Sequence, residues 1–185
     1  MKRPIIFVAI VTLVSAFCAF VLAMLTAGAI NPPNPVPIGM ALGFAVGLIY
    51  LLLANNRNVA VAAPDVRQAA LDAPPPTDGT ARLIVVRQSR MGMMVGVDIS
   101  IDGTTITQLK SPRFAILSIA PGRREVVAAA QGKPSKPQTV EVAAGEIVVL
   151  RVATGFAGVK ITPEADGPQL RSALARVPMV APTRT

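Results

Sequence analysis

PIIFVAIVTLVSAFCAFVLAML (4–25) and IGMALGFAVGLIYLLLA (38–54) decide how the rest of the chain is read. Neither run holds a charged residue, and the break between them centres on Asn31-Pro32-Pro33-Asn34-Pro35. A hydrocarbon core of about 30 Å needs roughly 20 helical residues, which the first run meets and the second meets with little to spare. The two runs therefore predict a membrane α-helical hairpin over residues 1–54, with spans of about 4–29 and 36–54.

Charge sets the orientation. Lys2 and Arg3 precede the first run, the loop 31–37 is uncharged, and Arg57 and Arg67 follow the second. By the positive-inside rule both ends of the hairpin face the cytoplasm. The expected location is integral in a membrane, that of the bacterial inner membrane, with both termini cytoplasmic. Ala27-Gly28-Ala29 also fits a signal-peptidase site, but an apolar run of about 22 residues exceeds a signal core of ~7–15. An uncleaved first span is the favoured reading, and cleavage would leave the C-terminal part on the same side.

Small residues recur every fourth position in both spans: Ser15, Ala19, Ala23 and Ala27 in the first, Gly39, Gly43 and Gly47 in the second. Helices in lipid associate through such faces, because little hydrophobic drive acts between them. Antiparallel packing is expected to set Ala27 beside Gly39, Ala23 beside Gly43 and Ala19 beside Gly47. Two alternatives stay open: small residues are common in membrane helices, and the glycine face could serve a homo-oligomer. Neither span carries an ionisable Asp, Glu, Lys, Arg or His, which argues against an ion path or proton relay. Cys18, the single cysteine, reads as an apolar filler. Phe17 before it excludes a lipoprotein attachment site, which needs a small residue there.

Residues 55–80 are rich in Ala, Pro, Asn and Asp and include Pro74-Pro75-Pro76, the composition of a flexible linker with a helical turn or two at Asp65–Leu71. From Ala81 the period becomes two. Val95, Val97, Ile99 and Ile101 alternate with Gly96, Asp98, Ser100 and Asp102, the pattern of a half-buried strand. Asp102-Gly103 supplies a two-residue hairpin turn. Pro121-Gly122 and Ala143-Ala144-Gly145-Glu146 mark further reversals, the second read as a hairpin. The expectation is an all-β domain over residues 81–163, an antiparallel β-sandwich of seven to eight short strands. Residues 164–185 follow as a short helix, Pro168–Arg176, and a frayed tail.

The succession of Asp-Gly hairpin, Pro-Gly turn and Ala-Gly-Glu reversal, in Val97–Gly103, Ser118–Val127 and Val142–Leu150, resembles the small β-sandwich domains called PEGA-type. It is more similar still to an uncharacterised domain-of-unknown-function family of bacterial envelope lipoproteins. The resemblance covers Arg82–Val177 and rests on turn chemistry. It departs in lacking a lipidated cysteine and the PEGA tetrapeptide, and in having two spans. The resemblance implies a sandwich fold and no shared catalytic residues.

The remaining chemistry is sparse. The 185 residues include no histidine, which removes the commonest general base and metal ligand. Asp98 and Asp102 share a strand face, but a calcium site needs about six to eight oxygens. No cofactor, metal or catalytic residue is expected. A net charge of +8 without interleaved aromatics argues against nucleic acid and for anionic lipid headgroups. Arg87, Arg90, Lys110, Arg113, Arg123 and Arg124 could form a basic rim at one end of the sandwich, or simply keep its surface soluble. Met91-Gly92-Met93-Met94 is either an exposed patch for a partner or lipid, or a tucked entry to the next strand. The expected function is non-enzymatic: a membrane-anchored sandwich that binds an unknown protein partner or the membrane surface. The alternative is a glycine-zipper oligomer in the membrane with the sandwich as a regulatory appendage.

Overall fold

The computed structural model describes residues 2–29 and 32–181; Met1, Ile30, Asn31 and the end of the expected tail, 182–185, lie outside them. The chain divides into two compact units, Met1–Asn55 and Asn56–Thr185.

The first unit is a pair of helices, α1 (Lys2–Thr26) and α2 (Pro35–Leu53). Asn34 caps α2, its side chain accepting from the Val36 N–H at 3.0 Å, and Pro35 occupies the first turn, where a missing N–H costs nothing. In α1 the segment Pro4–Thr26 is long and apolar enough to cross a membrane; the apolar part of α2, Pro35–Leu51, is shorter.

The second unit begins with a helix, α3 (Pro64–Asp72), in the stretch expected to be a flexible linker. Leu71 is buried, the Ala62 N–H donates to the Met179 carbonyl, and Val61 bridges Val180. Alternating composition does not reveal this docking, because three or four apolar side chains on a short helix suffice to cover one strand.

Among the described residues nine strands follow: β1 (Ala81–Arg87), β2 (Val97–Ile101), β3 (Thr104–Leu109), β4 (Arg113–Ile119), β5 (Gly122–Ala130), β6 (Lys133–Pro134), β7 (Gln138–Val142), β8 (Ile147–Gly155) and β9 (Gly158–Glu164). The count exceeds the seven to eight expected. One sheet has the order β4-β1-β8-β9; the other runs β3-β2-β5, with β6 and β7 both paired to β5. The sandwich is not wholly antiparallel, since β1 and β8 lie parallel, Arg82 opposite Ile147 through Arg87 opposite Val152. Of the intervening strands all but β4 build the second sheet, and together they supply the long crossover that a parallel pair needs.

Asp102-Gly103 forms the expected reversal, with φ of 49° and 80°. The turn at Ala143–Glu146 is not a hairpin: β7 pairs with β5 and β8 with β1, so the chain changes sheets there. Positive φ at Gly145 (78°) specifies a reversal but not the partner strand.

Two apolar layers hold the unit together. Between the sheets lie Leu83, Val85, Val97, Ile99, Leu109, Val126 and Leu150, all without solvent exposure. On the outer face of the first sheet, Ile84, Val86, Phe114 and Val149 pack with Leu71 of α3, with Leu174 of α4 (Pro168–Leu174) and with Val177 and Met179. β1 is consequently covered on both faces, which explains its unbroken Leu83-Ile84-Val85-Val86 run. The tail expected to fray is bound through Ala181, where Val180 N–H donates to Phe114 O and Ala181 N–H to Ala60 O.

Candidate functional site

The glycines of α2 do meet a small-residue face, but in another register. A Cβ at Gly39 would lie 2.5 Å from Ser15 O and 2.9 Å from Ala19 Cβ; at Gly43 it would lie 2.1 Å from Ser15 Oγ and 2.6 Å from Val11 O. Gly47 faces Val11 and Phe7. Ser15 and Ala19 therefore belong to the contact, whereas Ala23 and Ala27 are exposed. The pairing is displaced from the expected one by about two to three helical turns of α1. The connection 27–34 is too long for a tight reversal, and the edge-on contact of Phe7 with Phe44, centroids 6.3 Å apart, packs beside the glycine face. Phe7 and Val11 carry no small-residue signal in the sequence, since they are the larger side chains that fill a glycine notch.

The six basic residues expected on one rim are divided. β5 runs antiparallel to β2, so Arg123 and Arg124 at its start lie at the end of the sandwich where β2 finishes, opposite the end where β1 finishes. There Arg124 Nη1 donates to Asp102 Oδ2 at 2.8 Å. The Glu125 N–H, 2.9 Å from Oδ1, together with Arg124, holds the Asp102 carboxyl below its usual range. Arg113 is half-buried and reaches towards Val59 O at 3.5 Å. Arg90 and Lys110 remain beside the Met91–Met94 loop.

Arg87 is no rim residue at all, being fully buried. Parity explains it: Leu83 and Val85 point between the sheets, and Arg87 continues that row at the end of β1. Its Nη1 donates to Val95 O and to Leu109 O at 2.6 Å, and its Nη2 to Gly92 O at 2.7 Å. Burial lowers its pKa to about 10, which leaves it charged at neutral pH.

Arg87 is one of several groups that organise the loop above it. Met91 O accepts from Ser89 Oγ at 3.0 Å and from Thr154 Oγ1. Gly92 O accepts also from Val95 N–H, Met93 O from Ser111 N–H at 3.4 Å, and Met94 O from Asn56 Nδ2 at 2.7 Å. Every carbonyl from Met91 to Val95 thus has a donor. The side chains do the opposite: Met91, Met93 and Met94 are 40%, 51% and 65% exposed. Thr154 ties the loop to the β8–β9 hairpin, whose tip residue Phe156 is 99% exposed. Asn56, through Nδ2 to Met94 and Oδ1 from Gly96 N–H, brings the start of the unit to this same end.

A second concavity, an open cleft of about 560 Å³, lies between the Pro74–Pro76 run, α3 and the outer edge of β1 and β4. Its charged groups are already engaged: Arg82 donates to Ala73 O and Pro74 O, and Asp78 accepts from Thr80. No group of three metal-ligating side chains occurs among the described residues. Asp98 and Asp102 belong to separate clusters, Asp98 accepting from Gln108 Nε2 with Arg57 at 3.7 Å. Compared with models of known protein families and with curated proteins, the chain matches none.

Proposed function

We propose that the chain is a non-enzymatic membrane protein, a two-helix anchor displaying a PEGA-like sandwich that binds a protein or the membrane surface. The observation that carries this reading is the inverted packing of the helix pair. Gly39, Gly43 and Gly47 are buried, while Ile5, Leu13, Phe17 and Leu25 are 71%, 71%, 68% and 78% exposed. In water so continuous an apolar surface is a liability, whereas in lipid it is the solvated face. Both termini are assigned to the cytoplasmic side of a bacterial inner membrane, on the strength of Lys2, Arg3, Arg57 and Arg67.

Carbonate extraction of native membranes tests the anchor, and reporter fusions after residue 185 test the side. Retention with a cytoplasmic reporter signal is expected; release by carbonate would sink the proposal. The oligomeric alternative draws less support, since the glycine face is occupied by α1 of the same chain. A crosslinking ladder in native membranes that Gly43→Leu abolishes would restore it.

A further inference from the structure

We infer that the end of the sandwich bearing Met91, Met93, Met94 and Phe156 enters the headgroup layer of an anionic bilayer, the same one that holds the helix pair. The inference rests on the membrane reading above and gives it a surface. Four large apolar side chains project from two adjoining loops that Thr154 joins. Arg90 and Lys110 flank them, and the nearby carboxylate Asp98 is engaged by Gln108 and Arg57. Apolar tips ringed by basic residues match the layered chemistry of an anionic membrane surface, acyl chains beneath phosphates.

The backbone is equally suited. A loop leaving water must satisfy its polar groups from within. From Met91 to Val95 every carbonyl already accepts a hydrogen bond from Arg87, Ser89, Thr154, Val95, Ser111 or Asn56. The loop can therefore exchange water for lipid headgroups at its side chains without stranding these carbonyls.

Chain length points the same way. α2 ends at Leu53, and Asn56 is already hydrogen-bonded to the loop at Met94 and Gly96. Three peptide steps of 3.8 Å give the chain a reach of at most about 11 Å. The tether thus keeps this end of the sandwich within reach of a bilayer that holds α2.

The test uses the full chain, which has no tryptophan, so each introduced indole is an unambiguous reporter. Phe156→Trp and, at the opposite end, Ala144→Trp are reconstituted in nanodiscs of phosphatidylcholine and phosphatidylglycerol with brominated acyl chains. Quenching about twofold stronger for Phe156→Trp is expected, as for a side chain buried ~5–10 Å into the headgroup boundary. It should weaken in Arg90→Glu/Lys110→Glu, in added salt, and with phosphatidylcholine alone. Equal quenching at both ends, or none at position 156, would overturn the inference. So would a loop shielded in native membranes but not in nanodiscs, which would mark a protein partner. Carbonate extraction of the same variants separates the two failures: a retained chain with an unquenched indole discards the docking surface and leaves the anchor standing.

Discussion

Replacing Arg87 with methionine should destabilise the second unit by about 3 kcal/mol and open the Met91–Val95 loop first. Three hydrogen bonds from a charged donor are lost, each worth roughly 1.5–3 kcal/mol net. Against this stands the cost of keeping a guanidinium out of water. Lowering its pKa from the ordinary guanidinium range to about 10 corresponds to roughly 3 kcal/mol at 1.36 kcal/mol per pH unit. The difference spans about 1 to 6 kcal/mol, and the lower half is the better expectation, because the carbonyls of Gly92 and Val95 are part-buried and regain water. The Leu109 carbonyl is buried and cannot.

The assay is urea denaturation of the full chain in detergent micelles, followed by the β-sheet circular dichroism, with hydrogen exchange across residues 88–112. Arg87→Lys should recover part of the loss, since one ammonium cannot span three carbonyls as a planar fork does. If Arg87→Met unfolds within about 0.5 kcal/mol of the wild type, as ordinary surface substitutions do, and the loop exchanges no faster, then the arginine does not hold it. The argument built on internal satisfaction of that loop would then fail with it.

Gly43→Ala should lower the thermal midpoint of the helix pair in micelles, read by helical circular dichroism, since its Cβ would sit 2.6 Å from Val11 O and 2.8 Å from Ser15 N. Ser15→Ala should cost little or stabilise, because Ser15 Oγ is buried without a hydrogen-bond partner, and it should rescue Gly43→Ala only in part, since it removes the Oγ 2.1 Å away but neither backbone atom. Phe114→Ala should cost about 3–5 kcal/mol in urea unfolding, by emptying the layer under α3, α4 and the bound tail. Arg171 holds the Asp166 carboxyl below its usual range, so the pair stabilises the fold above the unfolded-state value of about 3.9 and ceases to do so as pH falls through the lower folded value. Exchange around α4 should therefore rise at acid pH in the wild type and be raised already at neutral pH in Asp166→Asn.

The parts of this architecture legible in the sequence are those written in short-range patterns. Unbroken apolar runs delimit α1 and α2, Asp102-Gly103 places a hairpin, and alternation from Val97 to Ile101 gives a strand with one buried face. What escaped was set by partners distant in sequence. β1 reads as a strand but not as the centre of a mixed sheet, since β8, its parallel neighbour, begins sixty positions on. The helical turn at Asp65–Leu71 is legible, but not its docking, because nothing within the stretch announces that Leu71 and Ala70 pack in one cluster with Val86 and Phe114. Arg87 is pulled two ways by its sequence. Counting by twos from Leu83 puts it inside, and charge alone argued for outside; the structure resolves the conflict with three carbonyls.

That resolution also bears on why an arginine stands where the row of apolar side chains would otherwise continue. A leucine at position 87 would fill the end of the core as well and avoid burying a charge. It could not reach both sheets' loops and donate to them. The guanidinium spans from β1 to the carbonyl ending β3 and to two carbonyls of the Met91–Val95 loop, so one side chain closes the core and fixes what projects from it. A methionine-rich loop held by apolar packing alone would turn its side chains inward on the first opportunity, because burial there is favourable. Hydrogen bonds to its main chain leave those side chains no inward path. A buried charge is a costly way to stabilise a fold but an effective way to keep apolar side chains outside it, and the proposed docking on lipid requires the second.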